Sequence, residues 1–141
     1  MQVTYEDITL NGTYIGIRMK SQRGRGGVVS DILYRNIKML NIATDCIRLN
    51  LNYHPDLNRT NASATPIFRD IRLENIDCVS TNPLAHGSSY LIEGLPESHI
   101  QNLTLRNVTV SADLKEVSCV NVDCSCDKAT VVCPTCCKKE R

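Results

Sequence analysis

Two cations stand one residue apart in Gly16-Ile17-Arg18-Met19-Lys20-Ser21, and a glycine-rich segment, Gly24-Arg25-Gly26-Gly27, follows them. Alternate residues of a strand point to opposite faces, so Ile17 and Met19 share one side while Arg18 and Lys20 share the other. With the apolar pair in a core, a guanidinium and an ammonium project side by side from one sheet face. An arginine fork holds a carboxylate through two parallel hydrogen bonds, and a lysine adds a point charge. The pair therefore suits an acidic ligand. The plainer alternative is two solvated cations on an outer strand face.

The second group with chemical potential is sulfur. Of eight cysteines, Cys46 and Cys78 stand apart and Cys119, Cys124, Cys126, Cys133, Cys136 and Cys137 crowd the last part of the chain. Such a cluster means disulfides in an oxidising compartment or metal in a reducing one. Zinc modules pair two short knuckles. Here only Cys133-x-x-Cys136 has knuckle spacing, and the tail holds no histidine, so disulfides are expected and no metal or other cofactor is assigned. Five Asn-x-Ser/Thr sequons, at Asn11, Asn58, Asn61, Asn102 and Asn107, also point to a secreted, glycosylated protein.

Charge narrows the partners. Sixteen Lys and Arg against 15 Asp and Glu leave a formal net charge of +1. Nucleic-acid binders usually carry a basic excess, and one Arg23-Gly24-Arg25-Gly26-Gly27 patch in a neutral chain is better explained as a turn. No uncharged run is long enough for a transmembrane helix. No nucleic-acid or membrane partner is therefore expected.

These groups need a frame, and the frame is a repeat. Val3-Thr4-Tyr5-Glu6-Asp7-Ile8-Thr9-Leu10 aligns with Ile32 to Met39, Ile71 to Cys78 and Leu103 to Val110. Each reads apolar, any, Tyr or Leu, charged, Asp or Asn, Ile or Val, polar, apolar. Alternation predicts a half-buried strand. The Asp or Asn then interrupts it, and these residues tolerate left-handed backbone angles, so a corner is expected there, with a new sheet beginning after it. A further short strand follows in three of the units: Ile15 to Lys20, Asp45 to Leu49 and Tyr90 to Gly94. Stacked units of this kind make a β-solenoid of parallel sheets around a narrow aliphatic core of Ile, Leu and Val. Missing crossover helices exclude a doubly wound α/β fold. An immunoglobulin-like sandwich is the remaining alternative.

Residues 1–112 read as solenoid rungs and residues 113–141 as a cysteine-rich C-terminal cap. The repeat is already in phase at Val3, and Met1 to Asp7 carry neither a charged n-region nor an apolar h-region. The chain thus reads as the C-terminal part of something longer.

The Arg18-Lys20 strand and its glycine turn resemble the G-I-R-I-K-[ST] and G-R-G-G signature of glycoside hydrolase family 28, the polygalacturonases. Cys46-Ile47-Arg48-Leu49, Asn52-Tyr53-His54-Pro55-Asp56, Leu91-Ile92-Glu93-Gly94-Leu95-Pro96 and Ile100-Gln101-Asn102-Leu103-Thr104-Leu105 are similar to its plant and bacterial branch. The resemblance implies a right-handed parallel β-helix. It also implies inverting hydrolysis of α-1,4 galacturonic acid linkages in pectin, outside the cell or in the cell wall, by a protein that is a monomer at full length. Carried over, Arg18 and Lys20 match the pair that holds a galacturonate carboxylate. Tyr53, 35 residues beyond Arg18, matches a substrate-contacting tyrosine; its plainer reading is a loop ring packed on the solenoid's side.

The same resemblance places the catalytic acids and a nearby histidine in N-x-D, D-D and H-G motifs ahead of the Arg-x-Lys strand. None occurs among residues 1–17, and Glu6-Asp7 sits at a repeat corner. Asn75-Ile76-Asp77, Asn121-Val122-Asp123 and His86-Gly87 spell such motifs on the wrong side of Arg18, and each reads as structural. No catalytic residue is assigned. The expected function is the C-terminal part of a polygalacturonase-like hydrolase, inactive alone. The alternative is a non-catalytic solenoid that binds acidic polysaccharide or is purely structural.

Overall fold

Alternating aliphatic residues on either side of an Asp or Asn give strands that must turn without a loop. The computed structural model describes residues 1–55, 64–79, 88–111 and 113–141. Its strands are β1 (Val3–Asn11), β2 (Ile17–Lys20), β3 (Val28–Leu40), β4 (Asp45–Asn50), β5 (Ile67–Val79), β6 (Ser88–Glu93), β7 (Ile100–Val110), β8 (Ser118–Val120), β9 (Val122–Cys126) and β10 (Lys138–Lys139). One sheet has the order β1-β3-β5-β7-β9-β10 and the other β2-β4-β6-β8. All pairings between these strands are parallel. The architecture is a parallel β-helix, which removes the antiparallel sandwich.

The sequence repeat is the strand register. Val3 pairs with Ile32, Ile32 with Ile71 and Ile71 with Leu103; Ile8, Ile37, Ile76 and Val108 form the corresponding column past the corner. Between these columns Asp7, Asn36, Asn75 and Asn107 all adopt φ between 51° and 57°. Their side chains form a ladder. Asn36 Nδ2 donates to Asp7 Oδ1 at 3.0 Å, Asn75 Nδ2 to Asn36 Oδ1 at 3.1 Å, and Asn107 Nδ2 to Asn75 Oδ1 at 2.9 Å. Backbone pairing lapses at the corner, but the flanking halves stay in one bent sheet, whereas a separate sheet was expected there. The amide ladder carries the hydrogen bonding across the bend, so no loop separates the halves.

A second corner lies five residues earlier and was not anticipated. Asp31, Asp70 and Asn102 have φ of 59°, 56° and 51°, and Asn102 Nδ2 donates to Asp70 Oδ1 at 2.8 Å. The long strands therefore bend twice.

Inside, like residues stack on like. Ile37, Ile47, Leu49, Ile71, Leu73, Ile76, Ile92, Leu103, Leu105 and Val108 are buried, and so are Phe68 and Tyr90. The core thus admits two rings besides the expected aliphatics. The Tyr90 hydroxyl remains satisfied by donating to the Val132 carbonyl at 2.6 Å. Cys46 and Cys78 join β4 to β5 through this core, with their Cα atoms 6.2 Å apart and a sequence separation of 32. In the chain-entropy account such a link contributes about 3–4 kcal/mol. β1 is the sheet edge, and its Tyr5, 45% exposed, stacks on Tyr34 with ring centroids 4.9 Å apart.

At the other end β8 and β9 extend both sheets, and the remaining cysteines pair as Cys119–Cys136, Cys124–Cys137 and Cys126–Cys133. Thr130 is fully buried there. Its hydroxyl lies 3.3 Å from both the Val108 N–H and the Leu105 carbonyl, and it donates to Asp127 Oδ1 at 2.8 Å. Asp127 Oδ1 also accepts from the Asn107 N–H at 3.0 Å. Burial works to raise the Asp127 carboxyl, but the donors of Asn107 and Thr130 together hold it below its ordinary value.

The corner ladder supplies a stability prediction. Asn75→Ala removes two ladder hydrogen bonds and keeps a Cβ at φ 53° without the amide that eases a left-handed backbone, at a cost of about 2–3 kcal/mol. Asn75→Gly loses the same bonds but fits the backbone, so it is less destabilised. Urea unfolding separates the two; a glycine variant no more stable than the alanine one contradicts the backbone argument.

Candidate functional site: a cationic sheet face with a tyrosine

Ile17 is buried beneath β2 and Met19 is half-buried, so Arg18 and Lys20 project outward as the alternation requires. Gly16 lets the chain enter this strand. A Cβ at that position would collide with Met39 Sδ and the Cys46 carbonyl oxygen. After β2 the chain turns through Gly24, Gly26 and Gly27 at φ 87°, 62° and 83°. Both Gly24 N–H and Gly26 N–H donate to the Ala64 carbonyl, at 3.0 and 2.7 Å. The glycine-rich segment is a turn, as expected.

The loop after β4 returns over this face. Tyr53 N–H donates to the Ser21 carbonyl at 3.2 Å. That contact places the Tyr53 ring centroid 4.3 Å from Lys20 Nζ and 5.4 Å from Arg18 Cζ. His54 packs edge-on against the ring, 4.5 Å between centroids. The three residues singled out from the sequence thus form one cluster, with the half-buried Tyr53 ring packed against both cations on the outer side of β2. Hydrogen bonding from Arg18 first, and the Lys20 charge next, hold the Tyr53 hydroxyl below the usual tyrosine value. Burial acts oppositely on other rings. It pushes Tyr34 up to about 12 and raises Tyr90 further.

Two neighbouring cations, Arg48 and Arg23, are neutralised. Arg48, in register with Arg18, pairs with Asp45, which is buried and also accepts from Ser88 Oγ. Arg23 forks onto Glu97, with Nη2 3.0 Å from Oε2 and Nε on Oε1. Among the described residues no carboxylate pairs with Arg18 or Lys20. Sequence reasoning missed both neutralising pairs. Arg23 and Glu97 are 74 residues apart, and nothing local links them.

Other candidates fall elsewhere. Glu6 pairs with Arg35, and Asp7 begins the corner ladder. Asn75 and Asn121 are left-handed corner residues with φ 53° and 54°; His86 lies outside the described residues. A polar depression of about 570 Å³ opens on the outer face of the other sheet. Its Arg72 and Arg106 share it with Asp31 and Asp70, so its charges balance and it offers no counterpart to the Arg18-Lys20 face. The Sγ atoms of Cys119, Cys136 and Cys137, and those of Cys126, Cys133 and Cys137, lie within 4.8 Å of one another. All are bonded in disulfides, and a disulfide sulfur is not the thiolate that a metal ligates.

The chain that folds into this parallel β-helix matches a known class of protein. The profile of glycosyl hydrolases family 28 matches residues 1–134, and the chain belongs to that family. It is 26% identical over 111 residues to an endo-polygalacturonase of Pectobacterium parmentieri, covering 79% of this chain and 25% of that protein. The chain therefore spans a quarter of the length of this curated relative. No solved structure gives a significant match.

The electrostatics of the cluster can be read directly. Tyr53 is expected to ionise below Tyr34 and Tyr90 in an absorbance titration at pH values approaching and passing 10. Arg18→Ala moves that first step up in pH, and Tyr53→Phe abolishes it. A first step unaffected by both changes would place the phenol elsewhere.

Proposed function

We propose that this chain is the C-terminal part of a polygalacturonase-like hydrolase and that its β2 face holds a galacturonate carboxylate of pectin. One observation carries the reading. Arg23 and Arg48 are each matched by an acid, while among the described residues Arg18 and Lys20 have the Tyr53 ring and hydroxyl and no carboxylate. The Arg18 fork and the Lys20 ammonium would grip the carboxylate, and Tyr53 would flank the sugar. Inverting cleavage needs one carboxylic acid to protonate the leaving oxygen and a second carboxylate to activate water on the opposite face. The resemblance puts those acids ahead of the Arg-x-Lys strand, and residues 1–17 hold none of the motifs. Alone, residues 1–141 bind acidic polymer and do not cleave it. Residues 113–141 close the end of the solenoid beyond β7.

In affinity electrophoresis through polygalacturonate, the chain is expected to be retarded at low salt and released as salt screens the contact. Arg18→Ala weakens binding roughly tenfold, the loss of one charge-assisted pair. No reducing ends appear on incubation with polygalacturonate. Retention unchanged by Arg18→Ala leaves the structural solenoid as the reading, and release of reducing ends contradicts the division of labour.

We also propose passage through a secretory compartment, on the four disulfides and the sequons. The structure treats the sequons unequally. The side-chain nitrogens of Asn102 and Asn107, the atoms a glycan would take, already donate to Asp70 and Asn75. Exposed Asn11 accepts through Oδ1 from Asn41, and its nitrogen is not engaged. Glycopeptide mapping after secretion from a eukaryotic host should find sugar on Asn11 and none on Asn102 or Asn107. A glycan on Asn107 of the folded protein would refute this assignment.

A further inference from the structure

The outward residues of the smaller sheet form two columns across its strands. Arg18 is in register with Arg48, Arg48 with Leu91 and Leu91 with Ser118; Lys20 is in register with Asn50, Asn50 with Glu93 and Glu93 with Val120. Neighbouring strands lie about 4.8 Å apart, so β6 is about 10 Å from β2. Over that distance one column runs ammonium, amide, carboxylate. The other runs guanidinium, a guanidinium engaged by Asp45, and an aliphatic side chain.

The middle rung adds no free charge. Arg48 is held by Asp45, and Asn50 Oδ1 accepts the N–H of Asn52 at 2.6 Å. The third rung reverses the sign. Glu93 is half-buried and has no cationic partner among the described residues, and half-buried Leu91 lies beside it on the same face. An acidic polymer lying across the strands toward the C-terminal end therefore meets first two free cations and then a free carboxylate. Partly buried charges of like sign are screened little over such a distance. A carboxylate over β6 would be repelled, while an uncharged group could pack on Leu91.

We propose that β6 is a specificity boundary. The face accepts a free sugar carboxylate at β2 and refuses one at β6, so the unit lying over Leu91 and Glu93 is uncharged, a methyl-esterified galacturonate or a neutral sugar. Glu93 and Leu91 then set a preference for partly esterified polymer over fully de-esterified polymer. This inference rests on the carboxylate-binding reading of Arg18 and Lys20.

The test compares retention of the 141-residue chain in gels containing either fully de-esterified polygalacturonate or half-esterified pectin. The unaltered chain is expected to favour the half-esterified polymer. Glu93→Gln and Glu93→Lys, with circular dichroism to confirm the unchanged β-helix, are expected to strengthen binding to the de-esterified polymer roughly fivefold for the lysine and less for the glutamine, with little change on the esterified one. An unchanged ratio between the two polymers in Glu93→Lys, with Arg18→Ala still losing both, overturns the boundary alone. Binding to both polymers that survives Arg18→Ala overturns the reading beneath it.

Discussion

The left-handed corner is the constraint on which the rest of the structure hangs. Four residues at one column hold φ near +54° while their side chains, three amides and the Asp7 carboxylate, are hydrogen-bonded from rung to rung. Few residues tolerate that backbone, and of those Asn both donates and accepts along a stack. A one-residue slip would put either a β-branched Ile or Val or a charged Glu or Arg into the corner and break the ladder at once. Register is therefore set at the corner, and everything outside it inherits that register. The outer column Glu6, Arg35, Glu74, Arg106 alternates in sign as a consequence, and like charges directly opposite one another are avoided. Asp7, having no side-chain donor, can only accept, so it sits at the acceptor end of the stack.

The candidate site follows from the same stacking. Parallel register places Arg18 beside Arg48, which alone would be a like-charge pair. Asp45 resolves the conflict by taking Arg48, and Ser88 helps hold Asp45 in place. Among the described residues, the outcome is a sheet face whose unpaired cations both stand on β2. Tyr53 completes it through a backbone contact to Ser21, which turns the loop after β4 back onto the cations. Binding an acid there needs no rearrangement of the sheet, because the side chains stand on rungs fixed by the core beneath them.

The segment beyond β7 is held by different chemistry. Aliphatic columns cannot simply stop, because a strand edge leaves unpaired backbone groups. Asp127 and Thr130 take up donors and acceptors of Leu105, Asn107 and Val108, and three disulfides hold the short irregular segment against them. The small aliphatic content of this segment makes covalent links the main means of stabilising it.

Much of this was legible in the sequence, for a physical reason. A solenoid writes its register as a repeat, so aligning Asp7, Asn36, Asn75 and Asn107 amounted to reading the strand pairing. Strand alternation placed Arg18 and Lys20 outside and Ile17 inside. The second corner was equally present, as Asp31, Asp70 and Asn102 five residues ahead of the first, but the aligned octads began just after it. Tertiary structure alone decided which cysteine joined which, since six clustered thiols permit many pairings and only folded geometry selects among them. It alone decided that Tyr53 lies against both cations, because loop length does not fix where a loop lands. And it alone distinguished free cations from neutralised ones. Sequence shows charges in a line, whereas the partner of Arg23, Glu97, and the Ser88 hydroxyl that holds Asp45 against Arg48 come from rungs that the chain reaches only after circling the core.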